Sequence, residues 1–144
     1  MKKICLIIVL FCGSNLIAQT TADSTGIRTA ATDYVEGFYT ADTTRMKKGL
    51  SDELVKRIID NRSGKSTINT IGCKELLGYV NPAYKMPDPN PSEPFKATVT
   101  IYDIKNGIAL AKVTTNKMPE FFDYIQVGKL NGEWKIINVL WGFS

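Results

Sequence analysis

The chain contains no histidine. That absence removes the commonest general base near neutral pH and the commonest metal ligand. Ser-His-Asp and Cys-His catalysis and the usual zinc sites are excluded with it. Cysteine is scarce: Cys5 and Cys12 lie near the N-terminus and Cys73 stands alone thereafter. Beyond the N-terminal segment no intrachain disulfide is available, so stability comes from packing, and Cys73 reads as a small buried hydrophobe. No Lys or Arg cluster is long enough to track a phosphate backbone, so nucleic acid is not an expected partner. No uninterrupted apolar run reaches the roughly 20 residues that span a bilayer. The stretch GKST at 64–67 lacks the earlier glycine and the preceding strand of a phosphate-binding loop. Asp88 and Glu93 form no metal motif. Neither a metal nor a cofactor is expected.

What is present begins with MKKICLIIVLFCGSNLIAQT. Lys2 and Lys3 precede an apolar run from Ile4 to Phe11, and the small residue Ala18 stands before Gln19, the layout of a secretory signal peptide over residues 1–18. The expected product is periplasmic or secreted, with no membrane attachment once the signal is removed. Phe11, where a lipid-anchored cysteine would follow a small residue, argues against lipidation of Cys12. Residues 19–144 remain, a length suited to one domain with one core. Loss of Lys2 and Lys3 lowers the formal charge from +4 to +2.

Apolar residues at Ile27, Ala30, Ala31, Tyr34, Val35 and Phe38 follow the stripe of an amphipathic helix, with Asp23, Ser24 and Thr25 as candidate caps. TTRMKKGL predicts a short helical piece ending at Gly49, with Met46 and Leu50 inward. SDELVKRIID predicts a second helix capped by Ser51, with Leu54, Val55, Ile58 and Ile59 on one side. After an extended stretch around Ile68 to Ile71, CKELLGYV predicts a further helix burying Leu76, Leu77 and Val80. PAYKMPDPNPSEP, residues 82–94, holds five prolines and reads as a long exposed connection or a lid. Beyond it the period changes to two, and residues 95–141 read as four antiparallel strands. Helices first and sheet afterwards is the α+β pattern.

Turn chemistry predicts register. Asn131-Gly132 is a type I′ signal that pairs Leu130 with Glu133. Counting back sets Val127 opposite Ile136, Ile125 opposite Asn138 and Asp123 opposite Leu140, and puts Asp123, Trp134 and Asn138 on one inward face. In the earlier hairpin a three-residue loop, Lys105 to Gly107, aligns Val99 with Val113, Ile101 with Ala111 and Asp103 with Ala109. A carboxylate facing a core needs a donor, water or a ligand. Asp123 and Asn138 are therefore either a mutually satisfied pair that pins register or the polar groups of a ligand pocket. Tyr34 and Phe38 point from the first helix at the same sheet, as core or as pocket wall. The Tyr34 hydroxyl needs a polar partner if buried. Trp134 fills core or stacks on a flat ligand.

The run DYVEGFYTADTTRMKKGLSDELVKR, the segment ELLGYV and DYIQVGKLNGEWKIINVLW resemble the putative lumazine-binding proteins of the nuclear-transport-factor-2-like superfamily, over about residues 26–143. The resemblance implies a cone-shaped fold, a strongly curved antiparallel sheet wrapped around helices with a pocket between them. It implies a small flat organic ligand and a homodimer formed through the outer sheet face. Members typically carry His-Pro where this chain has Ser51-Asp52. Relatives on the fold include SnoaL-type cyclases and ketosteroid isomerases, whose carboxylates abstract protons. An activity of that type would make Asp123 the candidate catalytic base, with Asp103 a second candidate and Tyr34 stabilising an enolate oxygen. The binding reading instead gives a pocket of Tyr34, Phe38, Asp123, Trp134 and Asn138. The third reading is a dimeric interaction domain with a filled core.

Overall fold

The structure is a computed structural model that describes residues 12–61, 63–80, 88 and 90–143. Most of the expected signal segment and most of the proline-rich segment lie outside the described residues. Among the described residues, three helices pack against a curved, unclosed sheet of six strands, an α+β fold. Helix α1 (Cys12–Tyr39) is followed by α2 (Thr43–Gly49), β1 (Leu50–Asp60), β2 (Thr67–Gly72) and α3 (Cys73–Tyr79). Strands β3 (Ala97–Lys105), β4 (Ile108–Thr115), β5 (Phe121–Leu130) and β6 (Glu133–Phe143) complete the sheet. Its order is β2-β1-β6-β5-β4-β3, and β1 runs parallel to β6 while the other neighbours are antiparallel.

The stripe on α1 packs as its spacing requires: Ile27, Ala30, Ala31, Tyr34 and Val35 are buried and Phe38 is partly so. The helix starts earlier than the candidate caps, and Asp23 instead accepts from Lys129 and Trp134. Helix α2 is capped by Asp42, whose carboxylate accepts from the Arg45 backbone N–H at 2.9 Å, satisfying one orphan donor of the first turn. Gly49 does not end α2 in a left-handed turn. Its missing side chain lets the two helices touch, since a Cβ there would fall 2.2 Å from the Ala30 carbonyl oxygen.

SDELVKRIID is strand β1, not a helix. Its short apolar run fits either period, and β-branched Val55, Ile58 and Ile59 favour the extended form once sheet partners flank it on both sides. In the strand, alternate residues Leu54 and Lys56 turn inward, both buried.

Both hairpins contain a shift that turn chemistry alone does not announce. Asn131 and Gly132 have φ of 51° and 88°, and Leu130 pairs with Glu133 and Val127 with Ile136 as the turn requires. The ladder then slips: Gln126 pairs with Asn138, Ile125 with Val139 and Asp123 with Trp141. Ile137 is the extra residue of a β-bulge, which turns every later β6 side chain over. The exchange puts Val139 and Trp141 toward the core in place of Asn138 and Leu140, a gain of apolar burial. Gly128 makes room for it, because a Cβ there would lie 2.5 Å from Ile137 Cδ1. In the β3–β4 hairpin the loop is the two-residue Asn106-Gly107, with Lys105 opposite Ile108. A shift between Ile101 and Asp103 restores Val99 opposite Val113 and Ile101 opposite Ala111, so the expected register holds away from the turn. Asp103 meets Leu110 and is exposed, so it is not an inward acid.

Candidate functional site

A cavity of about 340 Å³ lies between α1, α3 and the inner sheet face. Trp141 and Phe121 help to wall it, with Phe38 from α1. Its polar lining includes Asn69, Thr114 and Thr115 and the buried group of Tyr34, Lys56 and Asp123. Strand alternation brings Asp123 inward on β5 and Lys56 inward on β1. Since β6 lies between those strands, the four-carbon stem of Lys56 carries its ammonium across β6. There Nζ stands 2.9 Å from Asp123 Oδ1 and 5.5 Å from the centre of the Trp141 ring.

The three polar groups close on one another. Lys56 Nζ donates to Asp123 Oδ1 at 2.9 Å and to Tyr34 Oη at 2.6 Å, and Tyr34 Oη donates to Asp123 Oδ2 at 3.3 Å. All three side chains are buried. Burial holds the Tyr34 hydroxyl well above its ordinary range, and the Asp123 charge pushes the same way, so Tyr34 stays a neutral donor. An ion pair with this little water is strongly coupled: removing one partner strands the other charge in the interior.

Tyr34, Phe38 and Asp123 border the cavity together, whereas Trp134 and Asn138 do not. Trp134 lies on the opposite side of the β5–β6 bulge, packed where Gly26 leaves space on α1, with Nε1 donating to Asp23 at 3.1 Å. Asn138 is turned outward by the bulge and donates to Gln126 Oε1 at 3.0 Å. Thus Asp123 is satisfied by Lys56 and Tyr34 rather than by Asn138. Lys56 escaped the sequence reading because a helical SDELVKRIID sets it on the solvent side. A period of two through Leu54, Lys56 and Ile58 is the signal that marks it.

A second buried ammonium, Lys117, holds Asp88 at 2.9 Å and the Asn90 carbonyl at 2.5 Å, and Tyr39 donates to Asp88 at 2.5 Å. The Tyr39 hydrogen bond, with Lys117 beside it, keeps the Asp88 carboxyl below its ordinary range. Cys73 is buried at the start of α3, and burial raises its thiol. Among the described residues no group of three or more metal-ligating side chains is assembled.

The family model described as "Putative lumazine-binding" matches residues 22–142. Several similar solved structures are described as nuclear-transport-factor-2-like. An NTF2-like protein of unknown function from Shewanella baltica is 21% identical, with 86% of this chain and 95% of that one covered and a TM-score of 0.69. A ketosteroid isomerase-like protein from Erwinia carotovora atroseptica is 12% identical, with 83% and 94% covered and a TM-score of 0.54. A protein described as a putative scytalone dehydratase, from Novosphingobium aromaticivorans, is 9% identical, with 89% and 88% covered and a TM-score of 0.59. Identities this low speak for the fold alone, and the fold is the nuclear-transport-factor-2-like one. No curated protein matches the chain.

Proposed function

The chain belongs to the putative lumazine-binding family, and on that footing we propose that it is an exported binding protein for a small, flat organic molecule held in the cavity beside Tyr34, Lys56 and Asp123. The observation that carries the reading is the cavity itself. Its volume, about 340 Å³, falls within the range of small-molecule sites, and its make-up of apolar walls with a few converging polar groups is that of a ligand pocket. Asp123 already accepts from Lys56 and Tyr34, so its charge is engaged by the protein. That favours recognition over proton abstraction.

The test uses the two tryptophans. Trp141 borders the cavity and Trp134 does not, so a Trp134→Phe protein reports from the site alone. Titration with pterins, flavins and other planar heterocycles is expected to change its fluorescence saturably and to raise the melting temperature. No response in either readout across such compounds ends the reading.

Export rests on the sequence of residues 1–18, and a single domain is proposed for residues 19–144. Cell fractionation with N-terminal mass spectrometry tests both the location and the processed end; an intact N-terminus in the cytoplasm overturns them. A homodimer through the outer sheet face is supported by Tyr102, Leu110, Tyr124 and Leu140, each about two-fifths exposed or more. Apolar residues clustered on a sheet face mark an interaction surface.

A further inference from the structure

The cavity wall also discriminates by charge, an inference that rests on the binding reading above. Lys56 and Asp123 are 10% and 11% exposed at their side chains, so their charges offset each other with little solvent between. Among the described residues that line the cavity, Lys56 is the one cation. A ligand carrying a carboxylate would approach Lys56 only by also approaching Asp123, and no second cation there would compensate its lost hydration. The negative field of Asp123 is already felt inside, where it adds to burial in holding Tyr34 neutral.

A neutral acceptor meets a different site. An ammonium has three donors, and Lys56 uses one on Asp123 Oδ1 and one on Tyr34 Oη. The remaining N–H serves an incoming oxygen. Trp141, its ring centred 5.5 Å from Nζ, lines the cavity beside that position and gives a planar ligand an aromatic wall to pack against. We propose that the cavity selects uncharged planar ligands whose carbonyl oxygen accepts from Lys56, and rejects the carboxylated forms of the same ring systems.

Matched pairs test this on the full chain by titration calorimetry at neutral pH: coumarin against coumarin-3-carboxylate, and lumazine against 6-carboxylumazine. The neutral member is expected to bind at least tenfold more tightly. In Asp123→Asn, which leaves the Lys56 charge unopposed, the preference is expected to shift toward the carboxylate. Lys56→Met combined with Asp123→Leu, which strands no charge, is expected to weaken the neutral member at least fivefold while the protein stays folded by melting temperature. Equal or tighter binding of the carboxylates to the natural protein overturns the charge selection and leaves the pocket standing. Full neutral affinity in the double variant overturns the role of Lys56. Binding of neither class, with no response in the wider heterocycle titration, removes the pocket reading and this inference with it.

Discussion

Removing one member of the Lys56–Asp123 pair strands a charge in the interior, and its cost exceeds what the intact pair contributes. Lys56→Met is expected to lose about 3–5 kcal/mol of stability, read as a fall in melting temperature on the order of 10 °C or more. The double replacement Lys56→Met with Asp123→Leu is expected to recover most of that loss, which a double-mutant cycle by denaturant unfolding measures. Tyr34 gives a pH signature. Its hydroxyl is held above its ordinary value of 10.0 in the fold, so the unfolded chain ionises first as pH rises. The stability is present below that ordinary value and is lost as pH climbs through the folded one, by about 1.4 kcal/mol per pH unit per proton. Tyr34→Phe is expected to flatten the alkaline limb of a stability-against-pH curve relative to the natural protein. Tyr34 was legible in the sequence as an inward hydroxyl in need of a partner. Its partner Lys56 was not, because a lysine inside a segment that fits two periods looks solvated until the sheet claims it.

The β5–β6 hairpin shows how far turn chemistry reaches. Asn131-Gly132 sets the pairing for the residues next to it, and the pattern Trp134, Ile136, Ile137, Val139, Trp141 breaks alternation at Ile137. Apolar burial wins over regular pairing there, so the strand bulges and Asn138 leaves the inner face. Gly128 leaves the space that the side chain of the bulged Ile137 fills. Gly128→Ala is expected to cost about 1–3 kcal/mol through overpacking, and Ile137→Ala in the same chain is expected to relieve it, both read by denaturant unfolding. The helix stripe from Ile27 to Phe38 and the change of period after residue 94 were legible because each repeats over many residues. β1 was not, since its identity is decided by pairing with β2 on one side and, on the other, with β6, a strand distant in sequence.

On the outer sheet face Tyr102 and Tyr124 stand 6.3 Å apart between ring centres, Phe122 and Tyr124 5.4 Å apart, and Lys112 lies 5.0 Å over Phe122. Tyr124→Glu would set a charge in the middle of this patch. It is expected to yield a monomer in sedimentation at micromolar concentration with the melting behaviour of a folded protein, whereas a natural chain already monomeric there overturns the homodimer. The order of the strands carries one more consequence. The last of them, β6, is the sheet's middle, joined to β1 on one side and β5 on the other. The β2-β1 pair and the β5-β4-β3 meander each have ladders of their own, and β6 alone joins them into one sheet. Joining them is a long-range search between segments some eighty residues apart, which belongs to the slow class of topologies.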